Sequence, residues 1–508
     1  MVVADTVEEA RHAADLVEVT YEPAPAATTF DLGRSRPPSS GAEEGERPGE
    51  TARGDMDGAL AGAPVAIDIT CVAPREHHHA MEPHATIAVW QGERLTLYDK
   101  TQWVDNDRKE IAHVFGIPED HVRVISPYIG GAFGSALRTW PHVAIAALAA
   151  RRVRRPVRLE LRRRELTTSV GFRPHTRQRV ALGANTDGTL FSLVQEAVAQ
   201  TSTYEEYAES TLDPARVTYA CPNVRTSYRL VPMHTNTPCP MRAPGIATGT
   251  YALELGMDEL AAALGMDPLA LRLQNLADRD QEQNLPWSSN ELEACYRVAA
   301  ARFGWERRLR EPRSTRLGSA LIGQGMAPAI YAADRAPASA SVTLFASGDA
   351  LVRTAASDMG PGTYTSLAQV AADALGIPVA RVRVEIGDTA LPPAPVHGGS
   401  MTMASVGNAV HAACEAVRAK ALALGGDPAS RSSARASGPA AGDREPVEVI
   451  RGHGLDRLEA TATSRPGEEA EKYASWAFGA VFAEVRVDAE LGAVRVSRLV
   501  GAYDIGAW

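Results

Sequence analysis

Three glycine-rich segments have the composition of backbone sites for an anionic ligand: residues 130–135 (GGAFGS), 358–365 (DMGPGTYT) and 398–405 (GGSMTMAS). Glycine lets a ligand approach the main chain closely and permits positive φ angles. Each segment is predicted to lead into a helix, whose first N–H groups lack partners within the helix and favour a phosphate or another anion. An ordinary tight turn is the alternative for each segment taken singly. None has the Gly-x-Gly-x-x-Gly spacing of a nicotinamide-binding unit.

An arginine between rigid turns is the fourth candidate. Residues 241–245 (MRAPG) follow Pro238 and Pro240 and precede a predicted helix. The planar guanidinium of Arg242 suits recognition of an oxyanion or phosphate. A surface arginine in a loop is the alternative interpretation.

A histidine cluster raises the possibility of a metal site, which would fit a metal-dependent hydrolase. His77, His78 and His79 are followed by Glu82 and His84. Neither a His-Glu-x-x-His motif nor a carboxylate triad spacing is present, so we assign no metal ligand here and expect ordinary polar side chains. No Gly-x-Ser-x-Gly motif or recognisable Ser-His-Asp set indicates a nucleophilic hydrolase.

Charge and composition exclude several other classes. The chain carries 52 basic and 62 acidic residues, a net charge of −10, which argues against a dedicated nucleic-acid-binding protein. Arginines at 151–164 are interpreted as a helix end, a turn and a solvated strand face. None of the four lysines follows a glycine, which excludes a phosphate-binding loop of the Walker type. The five cysteines contain no Cys-x-x-Cys pair, which argues against zinc ribbons and iron–sulfur ligands in this chain.

The pattern gives no membrane-spanning segment and no signal peptide. No run of 18 apolar residues occurs, and the first residues lack a basic segment followed by an apolar one. A cytoplasmic location is therefore expected. Export is the alternative.

Strand and helix patterns alternate along the 508 residues and predict a mixed α+β fold. Residues 1–27 are predicted as strand, helix and strand, the helix beginning at a capping box on Thr6 and ending near Asp15. The other predicted helices and strands with definite bounds are helices 143–150, 251–264 and 364–375, a long helix from about Ala404, strands 85–90, 157–161, 340–345, 351–356 and 381–386, and a hairpin of 482–487 with 492–500.

Taken together, ordered motifs along nearly the whole chain resemble the large, molybdopterin-binding subunit of the xanthine dehydrogenase and aldehyde oxidase family. Besides the three glycine-rich segments and residues 241–245, they are REHH (75–78), MEPHA (81–85), TQ (101–102), ISP (125–127), YACPN (219–223), GDT (387–389), ASVG (404–407) and FGA (478–480). The pattern resembles the bacterial aldehyde-oxidising branch. In the purine-oxidising branch a glutamate closely follows the first glycine-rich turn, where this chain has Ser135, Ala136 and Leu137.

The resemblance implies the domain order and the limits of the chain. It implies a remnant of an α/β hammerhead domain at 1–27, a linker at 28–63, and a first molybdopterin-binding domain at 64–312. A second, incomplete molybdopterin-binding domain would cover 313–508, with a flexible loop at 424–447. On this comparison the sequence is expected to be truncated at both ends.

The resemblance also implies a molybdenum–molybdopterin cofactor, expected in the cytosine dinucleotide form. Its metal is held by the pterin dithiolene, so no protein metal ligand is expected. Residue roles are carried over as follows: Gln102 to the pterin; Gly131, Phe133 and Gly134 to the oxo side of the metal; Arg242 as a cofactor anchor; and Gly360, Ala404 and Ser405 to pterin or phosphate. Pro361 departs from the glutamine or threonine frequent at its position, so a side-chain contact is lost there.

The implied reaction hydroxylates aldehydes or N-heterocycles with water as the oxygen source. Electrons would pass to separate iron–sulfur and FAD subunits. The resemblance also implies that a signal on a partner subunit can direct export to the periplasm, which is the alternative to a cytoplasmic location. The family's general-base glutamate falls beyond Trp508, so no catalytic residue is assigned within this sequence. The alternative function is an inactive truncated remnant, or a partner-binding scaffold that lacks that glutamate.

Overall fold

A computed structural model describes residues 1–39, 49–425 and 446–504 of the chain. The helices are α1 Val7–Asp15, α2 Met56–Gly62, α3 Val104–Phe115, α4 Pro141–Val153, α5 Asp213–Val217, α6 Ile246–Leu264, α7 Pro268–Gln274, α8 Leu292–Phe303, α9 Thr363–Leu375, α10 Asn408–Gly425, α11 Pro446–Gly452 and α12 Glu469–Lys472.

The first eleven strands are β1 Glu50–Arg53, β2 Val65–Ala73, β3 Ala85–Gln91, β4 Arg94–Asp99, β5 Val122–Ile125, β6 Val157–Glu160, β7 Thr176–Ala184, β8 Leu190–Ser202, β9 Asn223–Met233, β10 Arg279–Asp280 and β11 Leu285–Pro286. The later strands are β12 Arg316–Leu317, β13 Ala320–Ala332, β14 Ala338–Phe345, β15 Ala350–Arg353, β16 Val382–Glu385, β17 Arg457–Ser464, β18 Trp476–Asp488 and β19 Val494–Asp504. The predicted mixed α+β class is confirmed.

The chain divides into two compact units, each built from three separate segments. Unit 1 contains Met1–Pro25, His77–Gly171 and Asp334–Gly467, and unit 2 contains Ala26–Glu76, Phe172–Ala333 and Glu468–Trp508. The predicted linker at 28–63 includes β1 and α2. The consecutive domain boundaries drawn from the sequence stay predictions, and the loop predicted at 424–447 lies, over 426–445, outside the described residues.

Unit 1 contains two four-stranded mixed sheets, ordered β5-β4-β3-β6 and β16-β15-β14-β17. In each sheet one pair is parallel (β4 with β5, and β15 with β16) and the other pairs are antiparallel. Apolar residues alternate along the strands, so that Leu95 and Leu97 are fully buried beside exposed or half-buried neighbours. Helices α4 and α10 contact the strands through small alanine side chains, which permit a close approach.

Unit 2 contains a five-stranded sheet ordered β1-β9-β8-β7-β2 and a four-stranded antiparallel sheet ordered β12-β13-β18-β19. Helix α6 packs on the first sheet and α8 on the second. The predicted terminal hairpin is confirmed as β18 and β19. The Asp488 carboxylate accepts hydrogen bonds from the N–H groups of Glu490 and Leu491, each 2.9 Å away, and so fixes the turn.

The N-terminal prediction is partly wrong. Helix α1 is confirmed with its capping box, in which Thr6 and Glu9 exchange two side-chain to backbone hydrogen bonds. Within the described residues 1–39, the predicted strands 1–5 and 16–21 belong to no sheet. Alternating apolar residues do not make a strand unless a neighbouring strand pairs with their N–H and C=O groups, and Leu16 and Val19 lie exposed here.

Within the three described stretches of the chain, no helix has both the length and the apolar character needed to cross a bilayer.

Candidate cofactor site

The first glycine-rich turn adopts a backbone shape that few residues tolerate. Gly131, Phe133 and Gly134 have φ angles of 85°, 60° and 109°. Phe133 is the non-glycine member, so its left-handed conformation carries strain that the surrounding contacts must hold. Its ring is 39% exposed. The prediction that this turn runs directly into a helix is wrong. The next helix, α4, begins only at Pro141, because proline is favoured at the first helical position.

Gln102 holds this turn from behind. Its side chain is 2% exposed, and its Oε1 accepts hydrogen bonds from the N–H groups of Gly134 (3.1 Å) and Ala136 (3.4 Å). Its Nε2 donates to the carbonyl of His397 at 2.7 Å, and its own carbonyl accepts from the His397 N–H at 3.0 Å. Gln102 therefore ties the first turn to the segment that precedes the third. The predicted bond from Gln102 to the pterin stays a prediction.

His397 in turn connects to the second glycine-rich segment. Its Nδ1 lies 2.6 Å from the carbonyl oxygen of Ser357. A carbonyl can only accept, so Nδ1 carries the hydrogen and Nε2 keeps its lone pair. Burial lowers the pKa of the His397 imidazole below its ordinary value, which keeps the ring neutral. The Ile129 N–H also donates to the Asp358 carbonyl at 2.9 Å. All three glycine-rich segments thus meet within unit 1.

The second segment presents backbone donors at an open helix start. Helix α9 begins after Gly362, and no side chain caps its first turn. Gly360 and Gly362 have φ angles of 113° and 93°, and a Cβ at either position would meet no atom within 4 Å. The Oγ of Ser357 is buried without a hydrogen-bond partner. Uncapped N–H groups, open space and an unpartnered hydroxyl fit a ligand rich in phosphate and ring oxygens.

The third segment approaches helix α10 through one π-helical turn, Met403–Gly407. Ser400 before it has a φ of 57°, a further non-glycine residue in the left-handed region. Ala404 is exposed, whereas Ser405 is 2% exposed and its Oγ accepts from the Ala336 N–H at 2.9 Å. The hydroxyl of Ser405 therefore serves the fold of unit 1. The predicted contacts of Ala404 and Ser405 with the pterin or a phosphate stay predictions.

Arg242 lies in unit 2 on a strained loop. Its φ is 28° and that of Ala243 is 56°. The Arg173 guanidinium holds the loop by donating from Nη2 to the carbonyls of Met241 (2.8 Å) and Arg242 (3.0 Å). Glycine is required at position 245, the last residue of this loop, because a Cβ there would lie 2.5 Å from the Ser210 backbone. Its N–H donates to the Glu209 carboxylate at 3.1 Å.

Sequence reasoning missed the residues that support the first turn from the other side. The Lys100 side chain is 4% exposed, and its Nζ donates to the Glu82 carbonyl. Burial lowers the pKa of Lys100 to about 8, against the opposing influence of the Glu82 carboxylate. The sequence did contain one indication of this role. The chain has only four lysines among many arginines, and one of them directly precedes the Thr101-Gln102 motif.

A buried group of titratable side chains lies next to the same turn. Ser135 donates its hydroxyl hydrogen to the Ala132 carbonyl at 2.9 Å, so His84, whose Nε2 is 3.2 Å from Ser135 Oγ, must be the donor. Burial lowers the pKa of His84 well below its ordinary value, which keeps the ring neutral. Burial, with the nearby Asp99, raises the pKa of Asp107 well above its ordinary range.

The chemical groups that the candidate residues present determine which kind of ligand the site fits. Across the described residues no group of three His, Cys, Asp or Glu side chains could hold a metal ion. The candidate residues offer backbone N–H groups, hydroxyls and amides. A metal that brings its own ligands on an organic cofactor fits this set, whereas a metal held by the protein does not.

Comparison with known proteins agrees with this geometry. Two family models, each described as a molybdopterin cofactor-binding domain, match residues 42–276 and 298–508. The aldehyde oxidoreductase molybdenum-binding subunit PaoC of Escherichia coli K12 is 35% identical over 100% of this chain and 68% of its own length.

Solved structures show the same fold. Aldehyde oxidoreductase from Desulfovibrio gigas matches with a TM-score of 0.82 and 23% identity, over 99% of this chain and 56% of that one. Quinoline 2-oxidoreductase from Pseudomonas putida 86 matches with a TM-score of 0.83 and 22% identity, over 99% of this chain and 70% of that one. The chain therefore belongs to the xanthine dehydrogenase and aldehyde oxidoreductase family, among its molybdopterin-binding large subunits.

Proposed function

We propose that this chain holds a molybdenum–molybdopterin cofactor in its cytosine dinucleotide form. We propose further that it serves an enzyme that hydroxylates aldehydes or N-heterocycles with water as the oxygen source. The observation that carries the proposal is the meeting of three glycine-rich segments in unit 1, joined through Gln102 and His397. The first segment, which precedes the other two by more than 200 residues in the sequence, meets them there beside the open backbone donors of α9.

Each candidate residue has a role in this proposal that its environment supports. Gly131, Phe133 and Gly134 form the turn that faces the metal side of the cofactor. Gln102 keeps that turn in place, and in this proposal the second hydrogen on its Nε2 would bond to the pterin. When bound, the molybdenum–pterin group supplies the two-electron oxidation of the substrate.

The anionic parts of the cofactor require backbone or cationic donors. The uncapped first turn of α9, which follows Gly362, provides N–H groups for a phosphate or ring oxygen. Gly360 donates its own N–H to the Asp358 carboxylate at 2.7 Å, so its part in the proposal is to leave room for the ligand beside the main chain. Ala404 provides backbone at the third segment, with Ser405 bracing it from beneath. Arg242 is proposed as a further cofactor anchor, because a guanidinium pairs well with a phosphate.

An aldehyde is the preferred substrate class. Support comes from the identity with PaoC over the full chain, whose name specifies an aldehyde oxidoreductase. Ser135, where the purine-oxidising branch has a nearby glutamate, is buried and engaged with Ala132 and His84. Electrons would leave through separate iron–sulfur and FAD subunits. The assignment of residues 1–27 to the end of an α/β hammerhead domain belongs to the same proposal, supported by helix α1.

The test is the cofactor content of the purified full chain, produced in a bacterium that synthesises the cytosine dinucleotide. We expect one molybdenum and one cytidine monophosphate, released by acid, per chain. A folded chain that contains neither would contradict the proposal. A dye-linked assay with a panel of aldehydes then tests the reaction. Cofactor without turnover would favour the alternative, a partner-binding scaffold.

A further inference from the structure

Three successive backbone carbonyls in unit 1 each accept a hydrogen bond from a cationic side chain, which is an exposed arginine for the first two and a buried lysine for the third. Arg163 donates from Nη1 to the carbonyl of Ala80 and from Nη2 to the carbonyl of Met81, the latter at 2.6 Å. Lys100 donates from Nζ to the carbonyl of Glu82. Hydrogen bonds from charged donors are shorter and roughly twice as strong as neutral ones. The carbonyl groups of residues 80–82 are therefore all held by charged donors.

Residues 80–82 face the first glycine-rich turn directly. The Glu82 N–H donates to the Gly130 carbonyl at 3.1 Å, and the Glu82 carboxylate accepts from the Gly130 N–H. A Cβ added at Gly130 would lie 2.8 Å from the Glu82 Cβ, closer than real Cβ contacts. The approach of Glu82 thus explains why residue 130 is glycine.

A second contact fixes the far end of the turn. His84 donates from Nε2 to the Ser135 hydroxyl at 3.2 Å, and Ser135 passes its own hydrogen to Ala132. Residues 80–84 consequently grip the turn at both ends, at Gly130 and Ser135. The strained Phe133 lies between these two fixed points.

We infer that residues 80–84 form a clamp that sets the shape of the glycine-rich turn 130–135 before any ligand arrives, with Glu82 and Lys100 as its positioning residues. The functional consequence, that the clamp determines cofactor retention, rests on the function proposed above. The clamp itself rests only on the contacts of unit 1.

The first experiment measures the clamp in the full chain expressed without molybdate, and so without cofactor. Amide hydrogen exchange is followed in peptides that cover the turn 130–135. Glu82→Ala removes the acceptor of the Gly130 N–H, and we expect roughly tenfold faster exchange there, the effect of losing one charge-assisted hydrogen bond. Glu82→Gln keeps an acceptor oxygen and should restore most of the protection. Glu110→Ala, an exposed glutamate on α3, is the matched control and should change nothing.

Lys100→Met provides an independent variant, because it removes the cation and keeps the apolar stem. We expect the same local acceleration at the turn, with exchange in α9 and in unit 2 unchanged. Unaltered exchange at the turn in both Glu82→Ala and Lys100→Met would overturn the clamp. So would an acceleration spread evenly over unit 1, since that would show general destabilisation in place of a local constraint.

The second experiment measures molybdenum per chain in the same variants produced with molybdate. We expect at least a several-fold loss in Glu82→Ala, partial recovery in Glu82→Gln and wild-type content in Glu110→Ala. Faster exchange with undiminished molybdenum would overturn the link to the cofactor while leaving the clamp. Absence of molybdenum from every variant and from the wild type would contradict the proposed function instead, and the exchange result would still decide the clamp.

Discussion

Arg272 shows how unit 2 tolerates a charge in its interior. The side chain is 0% exposed, and it donates to the Glu254 carboxylate at 2.6 Å and lies 2.8 Å from Asp258. Tyr219 donates its hydroxyl to the same Glu254 carboxylate at 2.9 Å. Burial raises the pKa of Glu254, and the guanidinium opposes that rise. Burial of each of these polar side chains is therefore compensated only by its contacts with the others.

We expect Arg272→Met to lower the apparent Tm by roughly 10 °C. Removing one partner of a buried ion pair leaves an uncompensated charge, at a cost of about 3–5 kcal/mol. Arg297→Met is the matched control, because Arg297 also lies 2.6 Å from a glutamate but both side chains are more than half exposed. The control should shift Tm by no more than roughly 2 °C. Equal shifts in a thermal scan would contradict the role given to burial.

Lys100 gives a prediction with a definite sign in pH. Its pKa is about 8 in the folded chain and 10.5 in its ordinary state, so between these values the unfolded chain binds more protons. The free energy of unfolding must then rise with pH from about 8 to about 10.5, by up to roughly 3 kcal/mol from this residue.

The measurement compares wild type with Lys100→Met at pH 8 and pH 10 by chemical denaturation. The variant cannot titrate at this position, so the wild type should gain stability relative to it as pH rises. A constant difference between the two proteins over this range would show that Lys100 is not desolvated in the folded state.

Mutations at the two ends of helix α9 can distinguish an effect on ligand binding from an effect on stability. It begins after Gly362, with a φ of 93°, and ends at Gly376, with a φ of 68°. A Cβ would meet no atom within 4 Å at either glycine. Alanine at both positions therefore carries a similar backbone strain, of order 1 kcal/mol.

We expect Gly362→Ala to lose most bound molybdenum and Gly376→Ala to retain it, although both lower Tm by a few degrees. The reason is that only Gly362 adjoins the open N–H groups proposed to face the cofactor. Metal content per folded chain, corrected for thermal stability, distinguishes the two variants. Equal retention would remove α9 from the site.

The observed helices and strands show which structural features could be predicted from local sequence patterns. Apolar periodicity predicted a helix at 364–375 against the observed Thr363–Leu375, because that signal lies within one segment. The same reasoning failed for strands 1–5 and 16–21, since strand formation depends on a partner elsewhere. The glycines indicated each turn of the candidate site, but the Gln102 link to His397 spans 295 residues and has no local signature. The contact between Glu82 and Gly130 could not be predicted from the sequence for the same reason.

At the scale of the whole molecule, each unit is assembled from three distant segments. The second sheet of unit 1 consists entirely of β14–β17, which follow residue 334, and the second and third glycine-rich segments lie in the same region. A cut at the boundary predicted near residue 313 would therefore leave both units incomplete.

We expect the fragment 1–312 to lack cooperative unfolding when it is expressed alone. Co-expression with 313–508 should restore a cooperative transition, because the missing strands return. Circular dichroism during heating checks both outcomes. A sharp transition in the isolated fragment would show that the first 312 residues fold independently.

The pairing of β13 with β18 has a consequence for how the chain is made. In the described structure β13 lies between β12 and β18, and β12 contributes only two residues to that pairing. At ribosomal rates of roughly 5–20 residues per second, β13 waits on the order of ten seconds before β18 has been synthesised. During that interval a thirteen-residue strand presents open hydrogen-bonding groups along one side. The nascent chain is thus exposed to misassociation at β13 until β18 emerges, and a chaperone acting in that interval would protect it.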